Sequence, residues 1–204
     1  MNEQPSNPAE ATGDDPERDL RLMARIREGD EEAFSELVEI HQHRVVGTCA
    51  RMLGDDAEAE DVAQQVFIRV WKNAARWEPT AKFTTWLYTI LRNLVFNECR
   101  RRSRHPAHSL DAAIEDDAHP QQFEDSGVKS PDVLLLDIEM QEAIARAIEE
   151  LPETQRMAVV LRRYQEVSYE EIAEVLELTV PAVKSVLFRA RTELREKLKR
   201  YLED

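Results

Sequence analysis

The chain has 204 residues, 33% of them charged, a formal net charge of −14 and two cysteines. No apolar run approaches the ~20 residues needed to span a bilayer, the acidic N-terminus lacks the basic and apolar regions of a secretion signal, and the acidic total excludes a general nucleic-acid coat. The expectation is a cytoplasmic protein of one large or two small domains, in which Cys49 and Cys99, without CxxC spacing, are buried or inert thiols rather than a disulfide or zinc framework.

In chain order, residues 1–18 read as a disordered tail, since Pro5, Pro8, Gly13 and Pro16 stand among acids. A short helix is predicted from Asp19 to Glu28, stopped at Gly29. Asp30 then caps a long helix in which Phe34, Leu37, His41, Val45, Thr48 and Met52 share one stripe, ended by Gly54. His41 and His43 are close in sequence, but with no third ligand nearby they read as packed or solvated imidazoles; no metal or other cofactor is expected. The next helix, about 56–74, turns Ala59, Val62, Ala63, Val66 and Val70 inward and leaves Asp61, Gln64, Gln65 and Ile68 largely outside. One acid and two amides beside exposed apolar atoms suit ordinary surface and a docking face equally well, and spacing leaves both open.

Residues 75–85 form a loop containing Trp77, Pro79 and Phe83, and Thr84 or Thr85 starts a helix with Leu87, Ile90, Leu91 and Leu94 as its core stripe. Trp86, Tyr88, Arg92, Asn93 and Phe96 share its flanks, and Arg92 to Arg104 holds five bases against one acid. Phe83 or Trp86 alone reads as a ring capping the core. As a set, aromatics, amides and arginines supply stacking surfaces, base-edge partners and a phosphate track for single-stranded nucleic acid. Residues 105–130, with Pro106, Pro120 and Gly127 and no sustained period, form a linker, and positions 111–139 hold nine acids against one base. Pro131 after Ser130 restarts helix, with Leu134, Ile138, Ile144, Ile148 and Leu151 on one side. Pro152 opens another, with Met157, Val160, Leu161 and Tyr164 inward.

Ser168 to Arg191 spells two short helices around a tight corner. Ser168 and Glu171 make a capping box, so a helix starts at Tyr169. Glu177 and Leu178 turn the chain, and Thr179 caps a second helix whose first turn tolerates Pro181. There Val183, Leu187, Ala190, Leu194 and Leu198 form the buried stripe, leaving Lys184, Ser185, Phe188, Arg189 and Arg191 off it or at its edge, and Lys184 to Arg200 holds seven bases against two acids. A basic second helix on an acidic protein is the footprint of a helix-turn-helix whose second helix lies in the major groove. With no credible strand pattern, the chain reads as all-α, in two helical domains.

F-S-E-L at Phe34 to Leu37, D-V-A-Q-Q-V-F at Asp61 to Phe67, F-T-T-W-L-Y-T-I-L-R-N at Phe83 to Asn93, the Arg100 to Arg102 run, L-P-E-T-Q-R at Leu151 to Arg156, S-Y-E-E-I-A, V-K-S and R-A-R follow one another in that order. Together, from about residue 20 to 202, the chain resembles the bacterial RNA polymerase sigma factors of the extracytoplasmic-function, two-domain type. The resemblance implies a region 2-like domain over 19–104, a flexible acidic linker over 105–130 that runs through the polymerase cleft, and a region 4-like helix-turn-helix domain over 131–204. It implies docking on the polymerase core, of beta and beta-prime subunits, through Asp61, Gln64, Gln65, Phe67, Ile68 and Arg69. Arg76, Trp77, Lys82, Trp86, Tyr88, Arg92, Asn93, Arg100 and Arg101 would open the promoter −10 element and capture an extruded base, whose stacking and pairing must be replaced by the pocket. Thr179, Lys184, Ser185, Phe188, Arg189 and Arg191 would read the −35 duplex. No catalytic residues and no cofactor are implied, and an anti-sigma factor would hold the two domains together and mask both DNA surfaces.

The chain departs from the family pattern at Val186, where Arg is frequent, and at Glu166 and Glu177, where Gly is common, so those corners must be made without glycine's freedom. No extra C-terminal domain is expected. The competing reading is a stand-alone helix-turn-helix regulator that binds duplex DNA as a dimer, which leaves the aromatic-basic segment and the Asp61 face without a task. A metal hydrolase using His41 and His43 lacks HExxH or P-loop spacing.

Overall fold

The computed structural model describes residues 15–104 and 131–201, which form eight α-helices and two short 3-10 turns, with no strand among the described residues. The linker expected at 105–130 and residues 1–14 of the expected tail lie outside the described residues. None of the described helices is long and apolar enough to cross a membrane.

Helix α1, Pro16–Arg27, begins three residues before the predicted Asp19. The Asp15 carboxylate accepts from the N–H groups of Glu17 and Arg18, both at 3.1 Å, and Pro16 occupies the first turn, where no N–H bond is forfeited. An acid followed by a proline, taken for tail composition, is a helix start. On the inner face of α1, Leu22, Met23 and Ile26 are buried, and the buried Asp19 Oδ1 lies 2.9 Å from His41 Nε2 on α2. His41 is thus a packed imidazole, and His43 is exposed.

Helix α2, Glu31–Leu53, starts where Asp30 accepts from Ala33 N–H at 3.0 Å and ends at Gly54, whose φ of 67° is the left-handed C-cap that glycine adopts without steric cost. Its stripe of Leu37, His41, Val45, Thr48 and Met52 is buried as the periodicity requires, with Cys49 among them; burial pushes the Cys49 thiol up to about 12. Helix α3, Asp56–Asn73, is capped by Asp55 and runs into a 3-10 turn, Ala74–Arg76. Helix α4, Phe83–Arg104, starts one or two residues before the expected Thr84 or Thr85 and buries Phe83, Thr84, Thr85, Leu87, Tyr88, Leu91, Leu94 and Val95. Arg102 fastens its far end, donating to Glu58 at 2.9 Å and to the Leu53 carbonyl at 2.6 Å.

Beyond residue 130 come α5, Pro131–Glu149, α6, Glu153–Tyr164, α7, Tyr169–Leu176, and α8, Val180–Lys197. Ile148 and Leu151 are buried and Ile144 half-buried, whereas the side chains of Leu134 and Ile138 lie outside the described residues. The capping box forms with both halves in place: Glu171 N–H donates to Ser168 Oγ at 3.2 Å, and Ser168 N–H donates to Glu171 Oε2 at 3.0 Å. Glu166 and Glu177 both take φ 55°, so the two glutamates at glycine's usual corners accept the left-handed conformation.

The two halves pack on each other, which nothing in the spacing of the sequence announces. One apolar cluster runs through both. Across the seam Arg156 donates to the Met52 carbonyl at 2.6 Å, and the Arg51 guanidinium stacks 4.1 Å above the Tyr164 ring. The buried Gln165 Oε1 accepts from Arg44 Nε and from Tyr88 Oη, each at 3.0 Å.

Candidate nucleic-acid and partner interfaces

Of the residues expected to dock on a partner, Asp61, Gln64, Gln65, Ile68 and Arg69 are exposed on the outer side of α3, and Ile68 keeps 49% of its surface in water. Phe67 departs from the expectation. It is 7% exposed and belongs to the core, because it follows Val66 on the turn that faces the neighbouring helices, so its ring is not part of the outer face.

The aromatic-basic segment is built around a triangle of rings. Trp77, Phe83 and Trp86 have centroids 6.1 to 6.4 Å apart in tilted and edge-on arrangements that favour ring quadrupoles. Trp77 and Phe83 are the buried members, and Trp86 is half-buried. Beside the triangle lies a cleft of about 340 Å³ lined by Arg76, Trp77, Thr85, Trp86 and Thr89, and on its other side by Glu174 of α7. Trp77 and Tyr88, expected at the nucleic-acid surface, are covered: Trp77 braces the triangle, and Tyr88 points its hydroxyl into the seam at Gln165. Asn93 and Arg100 are exposed, and Arg101 pairs with Glu98, whose carboxyl it holds below the usual range.

Lys82 and Arg92 face the C-terminal half. Lys82 Nζ is 2.8 Å from Glu171 Oε1. Arg92, with its side chain 13% exposed, donates from Nε to the Val175 carbonyl at 3.0 Å and pairs with Glu177. Sequence reasoning missed Arg44, Gln165, Glu171, Glu174 and Glu177 as interface residues. Glu171 and Glu174, three apart on α7, with Glu177 at its C-cap, were the available signal, hidden because Glu171 already had a capping role.

The helix-turn-helix is laid out as expected. Thr179 caps α8, accepting from Ala182 N–H at 3.4 Å. Lys184, Ser185, Phe188, Arg189 and Arg191 are all exposed along it, and Phe188 is 69% exposed. Val186 is half-buried against the core. Among the described residues no group of three or more His, Cys, Asp or Glu is placed to hold a metal ion.

The family model described as Sigma-70 region 2 matches residues 37–105, and that described as Sigma-70, region 4 matches residues 141–194. The chain is 34% identical over 188 residues to the RNA polymerase sigma-H factor of Pseudomonas aeruginosa, covering 92% of this chain and 97% of that one. It is 35% identical over 182 residues to the ECF RNA polymerase sigma factor SigW of Bacillus subtilis, covering 88% and 96%. It is likewise 35% identical over 184 residues to the ECF RNA polymerase sigma-E factor of Escherichia coli K12, covering 88% and 94%. Among solved structures it is similar to CnrH in complex with the cytosolic domain of CnrY, with TM-score 0.62 at 25% identity over 91% of this chain and 98% of that one. It is also similar to the sigma factor RpoE in complex with the anti-sigma factor NepR from Bartonella quintana, with TM-score 0.63 at 25% identity over 81% and 96%. The chain belongs to the extracytoplasmic-function sigma factors of the sigma-70 family, non-catalytic proteins that direct RNA polymerase to promoters.

Proposed function

We propose that the chain works in the cytoplasm in three contacts. The outer side of α3, with Asp61, Gln64, Gln65, Ile68 and Arg69, docks on the polymerase core. The residue 19–104 half opens the −10 element, an extruded base entering the cleft beside Trp86 and Arg76 while Asn93 and the basic end of α4 meet the strand. The residue 131–204 half reads the −35 duplex through Lys184, Ser185, Phe188 and Arg189, with Arg191 on phosphate. Phe188 carries the reading: a large apolar ring 69% exposed on the basic side of α8 is poorly solvated alone and fits apolar contact with a groove, such as a thymine methyl. A protein inhibitor that grips both halves is part of the proposal, supported by the RpoE relative solved with its anti-sigma factor; a pull-down from unstressed cells tests it.

Run-off transcription on genomic fragments with purified core polymerase tests the main reading. The expected result is discrete transcripts with the chain present and none with core alone. Tight, sequence-specific binding of the isolated chain to duplex DNA at fixed salt, with no association with core, would instead favour the stand-alone regulator.

A further inference from the structure

Asp19 and His41 are nearly closed off from water, with 5% and 3% of their side chains exposed, and none of the three contacts of the proposed function uses them. Burying two polar side chains costs stability unless each meets the other, and an apolar pair fills such a space without that demand. What the polar pair adds is direction. A carboxylate oxygen can only accept, so Asp19 Oδ1, 2.9 Å from His41 Nε2, selects the imidazole with its proton on Nε2 and fixes the plane of the ring.

That ring begins a line of contacts that ends at the cleft. The His41 and Phe83 rings have centroids 5.2 Å apart and planes inclined at 53°. Phe83, the first residue of α4, stands 6.4 Å from Trp77 and 6.1 Å from Trp86, both of which line the cleft. Close-packed rings have few orientations left to them, so the setting of one constrains the next. Helix α1 brings Asp19 to the line from a seated position, because Arg18 Nη2 donates to Glu36 Oε1 of α2 at 2.9 Å. The outward residues of α3 and α8 take no part in it.

From this line we infer that Asp19 and His41 are positioning residues for base capture: through Phe83 they set the face that Trp86 presents to the cleft. The inference rests on the proposed role of the cleft beside Trp86 in receiving an extruded base. Neither Asp19 nor His41 lines the cleft, so they act only through the rings. Helix α1 thereby has a task in strand opening, as the carrier of the carboxylate that orients the inner wall of the site.

The test uses the full chain with core polymerase on a promoter fragment recovered by run-off transcription. Asp19→Ala and Asp19→Asn are compared with Cys49→Ala, which opens a cavity about two turns along α2 from His41. Association with core is followed by anisotropy of the labelled chain, and strand opening by permanganate reactivity of promoter thymines. Asp19→Ala is expected to lower opening about tenfold, the scale of a slightly misplaced binding group, while association with core stays within about twofold. Asp19→Asn, whose amide oxygen still accepts from Nε2, is expected to recover most of the opening. Near-ultraviolet circular dichroism of the free chain, read where melts show every variant folded, is expected to weaken in Asp19→Ala, return in Asp19→Asn and persist in Cys49→Ala. If Asp19→Ala does not fold, Asp19→Leu with His41→Phe fills the same space without the directed bond and is expected to show the same selective loss of opening. Equal losses in Cys49→Ala and the Asp19 variant, no recovery in Asp19→Asn, or opening and core association falling together would leave the pair a stabilising contact only and overturn the inference. Trp86→Ala scores the cleft separately: if it leaves opening unchanged the site reading fails, whereas a loss there with unchanged opening in Asp19→Ala sinks the positioning role alone.

Discussion

Arg92 Nε donates to the main-chain oxygen of Val175 at 3.0 Å, and the same guanidinium pairs with Glu177 one turn-end further on. One cation thus satisfies a carbonyl at the C-terminal end of α7, where carbonyls lack intrahelical partners and the helix dipole favours positive charge. Lysine carries the charge as a point and cannot hold both acceptors in a fixed fork. Arg92→Lys is expected to lower stability by about 1 kcal/mol, most of it from the Val175 bond because Glu177 is exposed. Urea unfolding of the full chain measures it.

Glu166 and Glu177 are held at φ 55°, a conformation that costs a residue bearing Cβ about 1 kcal/mol and glycine little. Glu166 is exposed, so Glu166→Gly is expected to raise stability by up to about 1 kcal/mol after glycine's extra chain entropy is subtracted. Gly54→Ala, at φ 67°, runs the other way by a similar amount. Paired thermal melts give both signs.

Asp19 and His41 form a buried polar pair between α1 and α2, 2.9 Å apart. Asp19→Ala leaves an imidazole nitrogen buried without its partner and is expected to cost about 1 to 3 kcal/mol. Asp19→Asn, which keeps a hydrogen-bonding oxygen, costs less. Chemical denaturation of the two variants separates the lost contact from lost volume.

The Glu171 carboxyl is pushed up by burial, but its bonds to Lys82 and Ser168 outweigh that and leave it below its ordinary 4.5. Its folded value lies under its unfolded one, so its contribution is complete above 4.5 and disappears as pH falls through the folded value. Acidification into that range is expected to loosen the Lys82 contact between the halves. Glu171→Gln flattens that part of the stability profile, as followed by melting temperature against pH.

Trp86→Ala with Asn93→Ala is expected to leave association with core polymerase intact and to abolish promoter opening. Permanganate reactivity of promoter thymines reports the opening, and unchanged reactivity would count against the assigned cleft. A melt of the variant checks that loss of one member of the ring triangle has not unfolded the domain.

The sequence made the helix ends plain wherever local chemistry decides them: Asp30, Gly54, the Ser168 and Glu171 box, and Thr179 each act as their residue types require. It concealed the Asp15 cap, because an acid and a proline have the same composition in a tail as at a helix start. The exposed residues of α8 and most of the α3 face were legible from period alone. Helix α4 was not, since Phe83, Trp86, Leu87, Tyr88, Ile90, Leu91, Leu94 and Val95 cover much of its circumference and no stripe says which side meets α7. The fate of Lys82, Tyr88 and Arg92 depends on packing between residues some 80 positions apart, of which Arg92 and Glu177 are 85 apart. No window of neighbouring residues contains that information.

Both cysteines of the chain are kept as thiols by their surroundings: Cys49 by complete enclosure in α2's inner face, and Cys99, half-enclosed on α4, by desolvation as well. The thiolate, not the protonated form, is the nucleophile that attacks peroxides and disulfides. Desolvation therefore holds both cysteines in the less reactive, protonated form at neutral pH.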